Sequence, residues 1–228
     1  MKVAMACLPP LRALRHVVWD WNGTLLDDAR VCVEVMAGML ARRGLAAMPL
    51  ERYQEIFRFP VRAYYEDLGF DFARESWEVV GTEFIEGYQA RQGACRLQGE
   101  ALAALAAFDA LAVSQSVLSA SQRSRLLAQA QTLGVQHRFT ALLGLDDHFA
   151  GSKVELGRRW VAQLGFAPDQ VLLIGDTDHD FEVARAMGVH CALVTCGHQS
   201  EERLRALGPP VFPSLGALVD LWPAEDAA

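Results

Sequence analysis

The chain has 228 residues, 52% hydrophobic and 21% charged, with a formal net charge of −7. Such a composition buries a sizeable core and is long enough for a core plus an inserted module, while the acidic balance, with no basic run, excludes a nucleic-acid grip. No run reaches the ~18 apolar residues of a membrane span. Cys7, Cys32, Cys95, Cys191 and Cys196 are scattered and contain no C-x-x-C pair, which argues against a disulfide framework or a zinc site and for a reducing, cytoplasmic compartment.

The opening Met1–Cys7 stretch is too short for a signal segment and is followed at once by Pro9 and Pro10, so it reads as a short tail. The first strand is predicted at His16–Trp19, where apolarity is continuous, as in a strand covered on both faces. It ends in Asp20-Trp21-Asn22-Gly23-Thr24-Leu25, a run of turn formers that also carries a carboxylate. Residues 27–100 then show no convincing strand. Cys32, Val35, Met36, Met39 and Leu40 make one helical stripe, and Trp77, Val80, Phe84 and Tyr88 a second, which predicts an all-helical insertion after the first strand.

Alternation of strand and helix follows. Ser116-Val117-Leu118 reads as a strand, and Ser119-Ala120-Ser121 after it as the N-cap of a helix containing Leu126 and Leu127. A helix N-terminus with free N–H groups is also a seat for phosphate. A weaker strand is expected at Thr140–Leu143. Lys153 stands alone in Gly151-Ser152-Lys153-Val154, where a lysine is ordinarily a surface group. Strands at Val171–Ile174 and Cys191–Val194 complete the set, and Leu133-Gly134, Leu164-Gly165 and Met187-Gly188 each read as a glycine-capped helix end. The order is that of a doubly wound parallel α/β sheet. Directly after Val171–Ile174 comes Gly175-Asp176-Thr177-Asp178-His179-Asp180. Three carboxylates in five residues repel one another unless a divalent cation draws them together.

In an open α/β sheet, ligands bind beyond the carboxyl ends of the strands, which is where all four polar clusters fall. In their order along the chain they resemble motifs one to four of the haloacid dehalogenase superfamily. Over nearly its whole length the chain resembles the phosphoglycolate-phosphatase-like branch, with a Rossmann-like core at 1–26 and 101–228 and a helical cap at 27–100. Weaker local matches are Arg58-Phe59-Pro60-Val61 in the cap and Gly197-His198-Gln199-Ser200 after the Cys191–Val194 strand.

The resemblance implies a phosphatase acting on a small phosphorylated metabolite. Asp20 would attack phosphorus and form an aspartyl-phosphate. Mg²⁺ would be held by Asp20, the backbone carbonyl of Asn22 and Asp176, with Asp180 as ligand or support. Ser119 and the N–H of Ala120 would hold the transferring oxygens, Lys153 would neutralise charge on nucleophile and phosphoryl group, and Thr24 would brace the loop. Arg58, Arg62 and Tyr64 are candidates for contacts beyond the phosphate.

Position 22 departs from the family. Its phosphatases usually carry a second Asp there, and the amide of Asn22 cannot shuttle a proton near neutral pH. His179, Asp178 and His198 are nearby titratable candidates for that role, and Asn22→Asp is expected to raise turnover on poor leaving groups. The alternative is a regulatory protein that keeps the Mg²⁺ and phosphate seat but turns over poorly. Dehalogenase chemistry also uses an Asp nucleophile but needs no metal, and the Asp176–Asp180 cluster argues against it.

Overall fold

The computed structural model of the protein describes residues 8–145 and 153–221; the Met1–Cys7 tail and the Gly151-Ser152 pair lie outside them. All four side chains of β1 (His16–Trp19) are buried. β1 pairs in parallel with β4 (Ser114–Gln122) on one side and with β6 (Val171–Gly175) on the other. β5 (Ala141–Leu145) extends the sheet beyond β4, and β7 (His190–Val194) and the two-residue β8 (Val211–Phe212) extend it beyond β6. The spatial order is β5-β4-β1-β6-β7-β8, parallel throughout. The chain runs outward from β1 to β5 and then returns to the other side of β1 with β6. The end of β1 therefore lies at the reversal of strand order, where doubly wound sheets open a crevice.

Polar groups inside this sheet are satisfied locally. His16 is fully buried and holds Ser114 Oγ and Ser116 Oγ at 2.7 Å on its two ring nitrogens. Trp19 Nε1 donates to Gln115 Oε1 at 2.9 Å, and the amide nitrogen of Gln115 donates to the Leu105 carbonyl and to Asp109. A buried polar group costs free energy only when it is left unpaired.

The insertion carries α1 (Ala29–Arg42), α2 (Leu50–Ile56), α3 (Val61–Asp67) and α4 (Trp77–Arg91). The predicted stripe of α1 is its buried face, and Val80 and Tyr88 are buried on α4. These two helices come very close at Gly87, where a Cβ would lie 2.8 Å from Val35 Cγ1; a larger residue there would have to push α1 away. The insertion is not wholly helical. β2 (Leu26–Asp27) and β3 (Arg96–Leu97) pair antiparallel, Leu26 opposite Leu97 and Asp27 opposite Arg96, tying its two ends into one ribbon. Two-residue strands are too short to show a period in sequence.

Behind the insertion, α5 (Ala101–Ala110) leads into β4. α6 (Arg123–Thr132), α7 (Val154–Leu164) and α8 (Asp178–Met187) follow β4, β5 and β6. Gly134, Gly165 and Gly188 follow α6, α7 and α8 with φ between +72° and +74°, the left-handed conformation in which glycine ends a helix without strain. One cap differs from the sequence expectation. β4 stays extended through Ser119 and reaches Gln122, so Gln122, not a serine, precedes α6. The β4–β5 register shifts between Leu118 and Gln122, an irregularity in this strand end.

Candidate active site

The ends of β1 and β6 bring three carboxylates together. Asp20 follows β1, Asp176 follows β6, and Asp180 lies in the first turn of α8; each offers an oxygen within 4.8 Å of the others, and all three are buried. Thr177 fixes the start of α8, accepting from the Asp180 N–H, while Asp180 Oδ2 accepts in return from Thr177 N (3.0 Å), Thr177 Oγ1 (2.7 Å) and Asp176 N (3.2 Å). Reciprocal capping of this kind locks the loop and leaves Asp180 supporting its neighbours as much as facing outward.

Lys153, just before α7, is no surface lysine. Its side chain is 2% exposed, and Nζ donates to Asp20 Oδ1, to Asp180 Oδ1 (2.6 Å) and to the Leu118 carbonyl (3.2 Å). Asp176 is held by the Thr24 hydroxyl (2.9 Å) and the His198 N–H (2.6 Å). Gly23, at φ +82°, and Gly197 are glycines because a Cβ at either would run into the Asp176 carboxylate.

The electrostatics of this cluster are unbalanced. Burial lifts the Asp20 carboxyl well above its usual range; Lys153 opposes this, while Asp180 and Asp176 reinforce it. Burial also lifts Asp176, to about 6, against the pull of His198. Asp180 lies below its usual value because Lys153 and Thr177 together outweigh its burial. Three acids share one ammonium in a dry site, and a divalent cation would remove the deficit. The ligands available are oxygens only, as hard cations such as Mg²⁺ prefer. The residues present therefore fit that ion.

Beside the cluster, Asn22 is held by its side chain. Its Nδ2 donates to Asp28 Oδ2 (2.7 Å), and its Oδ1 accepts from Ser121 Oγ (2.6 Å) and, more weakly, from Ser119 Oγ (3.5 Å). Asp28, 1% exposed, is a hub: it also accepts from Gly23 N (3.0 Å) and the Tyr88 hydroxyl (2.7 Å), and its Oδ1 lies 3.3 Å from His198 Nε2. The other ring nitrogen of His198 meets the Tyr53 hydroxyl at 2.8 Å. Although burial acts against charge at both sites, the hydrogen bond and charge they share hold Asp28 below its usual pKa and lift His198 to about 9.

These residues open onto a cavity of about 180 Å³ between the sheet end and the insertion. Asp20, Asn22, Ser119, Ala120, Lys153 and Asp180 line it, so the structure brings together most of the predicted site. Arg58 is not brought there. It is half-exposed and pairs with Asp67 at 2.7 Å, although its neighbours Phe57 and Phe59 line the cavity. Arg62 likewise pairs with Glu66 on the surface, whereas Tyr64 does line the cavity. Of the three titratable candidates, His179 and His198 line it, and Asp178 instead binds Arg203 at 2.8 Å.

Sequence reasoning missed Asp28 and Arg125. Asp28 sits directly after the first motif, and its adjacent acid, Asp27, hid it as one of a surface pair. Arg125 lies in the first turn of α6, where an arginine gives no periodic signal. The weak match at Gly197-His198-Gln199-Ser200 is where the insertion seats: Gln54 Nε2 donates to the Gly197 carbonyl (2.7 Å), Gln199 Nε2 to the Phe57 carbonyl (3.0 Å), and Ser200 N to the Gln54 carbonyl (3.0 Å).

Residues 17–194 match the family model described as haloacid dehalogenase-like hydrolase. An N-acetylmuramic acid 6-phosphate phosphatase from Pseudomonas putida is 29% identical over 81% of this chain and 84% of its own length. A phosphoglycolate phosphatase from Synechococcus elongatus is 26% identical over 86% and 91%. Among solved structures, a haloacid dehalogenase-like family hydrolase from Streptococcus pneumoniae superposes with a TM-score of 0.69 at 17% identity, covering 92% of this chain and 99% of that one. With the family model spanning both the sheet and the insertion, the chain belongs to the haloacid dehalogenase-like hydrolases.

Proposed function

We propose that this hydrolase is a Mg²⁺-dependent phosphomonoesterase that works through an aspartyl-phosphate on Asp20. The observation that carries the reading is the buried cluster of Asp20, Asp176 and Asp180 around the single Lys153 ammonium. Asp20, Asp176 and the Asn22 carbonyl would hold the ion, with Asp180 bracing them; when bound, Mg²⁺ offsets the repulsion between two anions and polarises the phosphoryl oxygens.

The chain's own groups do the rest. Lys153 keeps Asp20 Oδ1 in place and supplies positive charge where the phosphoryl group arrives. Ser119 and Ala120, near the end of β4, line the same cavity, and the Ser119 hydroxyl and Ala120 N–H would hold transferring oxygens. Asp20 attacks phosphorus, the ester oxygen leaves with its electron pair, and water then releases phosphate from Asp20. The helical insertion serves as a cap. Its seat on Gly197–Ser200 closes the cavity and limits the water that reaches the aspartyl-phosphate.

The test is phosphate release from a panel of phosphomonoesters with Mg²⁺ and with a chelator, together with thermal melting of wild type and Asp176→Asn. Activity should vanish with the chelator, and Mg²⁺ should raise the melting temperature of wild type only. An equal Mg²⁺ shift in both proteins would place the metal elsewhere.

A further inference from the structure

The cap side of the cavity is built from rings. Tyr64, Tyr65, Trp77, Phe84 and Tyr88 line it, with Phe57 and Phe59 beside His198 and His179. Flat apolar walls favour a flat apolar guest. They offer few partners to the many hydroxyls of a sugar, each of which would lose water without replacement.

Two nitrogens of the lining residues lack a partner. Among the described residues, His179 Nε2 and Arg125 Nε are the buried side-chain nitrogens with no hydrogen-bond partner, and both residues line the cavity. His179 is 7% exposed and lies against Phe59, with ring centroids 4.6 Å apart; its Nδ1 reaches only Glu182, at 3.5 Å. Arg125 makes no ion pair among the described residues. Burial lowers its pKa, and the neighbour opposing that is Tyr88 of the cap, not the acidic cluster. Arg125 is half-buried with its Nε unpartnered, and a carboxylate is the natural complement of a guanidinium.

Position 22 adds a third constraint. The Asn22 amide is engaged with Asp28 and Ser121 and cannot protonate a leaving oxygen. A phenol, with a pKa of about 10 as in tyrosine, leaves without that help far more readily than an alkyl alcohol.

We propose that this site selects aryl phosphomonoesters whose ring carries a carboxylate and a second hydrogen-bonding substituent, the carboxylate seated on Arg125 and the substituent on His179 Nε2. The inference rests on the phosphatase reading above and names the substrate class of that same site.

Steady-state kinetics with Mg²⁺ on glycerol phosphate, phenyl phosphate, carboxyphenyl phosphate and a ring-hydroxylated carboxyphenyl phosphate test it. Wild type should prefer the aryl esters to glycerol phosphate, and the carboxylated ones among them. Arg125→Met should cut the carboxylate preference in kcat/KM about tenfold or more, mainly through KM, as loss of a hydrogen bond to a charged group does, and Arg125→Lys should restore part of it. His179→Phe keeps the packing on Phe59 and should erase the advantage of the ring hydroxyl. Glycerol phosphate turned over as well as the aryl esters, or a carboxylate preference unchanged in Arg125→Met, would overturn the inference while leaving the phosphatase reading intact. No phosphate released from any ester would sink both.

Discussion

Asp20, Asp176, Asp180 and Lys153 form a floor of buried charge at the ends of β1 and β6, crossed by short hydrogen bonds from Thr24, Thr177 and backbone N–H groups. Across the cavity, Tyr64, Tyr65, Trp77 and Phe84 form a roof of uncharged rings on α3 and α4. The floor is fixed by the hydrogen bonds that cross it, so on the proposed function it would stabilise a transferring phosphoryl group but tell one ester from another poorly. On the proposed function, the roof would supply shape and apolar area to whatever carries the phosphate. Chemistry and choice are thus separated by element, and Asn22, Asp28 and His198 form the seam between them.

The largest effect should come from the floor. Lys153→Met leaves Asp20 and Asp180 buried without their cation, and breaking a buried pair this way costs about 3–5 kcal/mol. In a chain of this size that lowers the melting temperature by roughly 10 °C. Differential scanning calorimetry without Mg²⁺ should show this, with a partial recovery when Mg²⁺ is added. A melting temperature within a degree of wild type would mean that Lys153 does not offset the buried carboxylates.

The seam comes next, and here the structure changes an expectation. From sequence, Asn22→Asp should raise turnover of poor leaving groups. In the structure the amide nitrogen of Asn22 lies 2.7 Å from Asp28 Oδ2, so the substitution sets two carboxyls face to face and one must keep a proton. The single variant is expected to gain little on glycerol phosphate. Asn22→Asp combined with Asp28→Asn restores a donor opposite an acceptor and should turn over the alkyl ester about tenfold or more faster than the single variant. Equal rates for the two would show that Asp28 does not restrain position 22.

The seam also predicts a pH dependence. Folding lifts His198 from an ordinary histidine pKa to about 9. Its stabilising contribution is therefore complete below about 6.5 and is lost as pH rises toward 9. Asp28, held low, loses its contribution only on acidification below the ordinary carboxylate range. Thermal melts from pH 6 to 10 should fall by a few degrees more in wild type than in Asp28→Asn. Parallel curves would mean that His198 is not charged in the folded protein.

The smallest effect is expected where the sequence suggested a large one. Arg58→Ala removes an exposed ion pair with Asp67, worth at most about 1 kcal/mol, and touches no cavity wall. Relative rates across an ester panel should stay within about twofold of wild type. A reordered panel would return Arg58 to the site.

What could be read beforehand follows the same division. The continuous apolarity of His16–Trp19 and Val171–Ile174, and the stripe Cys32, Val35, Met36, Met39, Leu40, are period signals imposed by burial, and each became the strand or helix face it suggested. Asp20, Asp176 and Asp180 stood out because like charges crowd only where something draws them together. The roof left no such mark. Trp77 and Phe84 show only a helical stripe, whether they pack against helices or face a ligand. Arg58 follows a helix and Arg125 sits in the first turn of one, and nothing local in the sequence says that only Arg125 reaches the cavity. Ser119 looked like a helix cap because serine favours that position locally; the pairing of β4 with β5 kept it in a strand. The β2–β3 ribbon depends on contacts between residues seventy positions apart, which local pattern does not carry.

The central claim is that Asp20 is the atom of attack. Wild type should be mixed with Mg²⁺ and an aryl phosphate, quenched within one turnover and treated with borohydride, which reduces an aspartyl-phosphate to homoserine, and the Asp20 peptide should then be read by mass spectrometry. The account predicts homoserine at position 20, absent when the chelator replaces Mg²⁺ and absent in Asp20→Asn. Phosphate released at the same rate with position 20 unmodified, or the reduced residue found elsewhere, would contradict it.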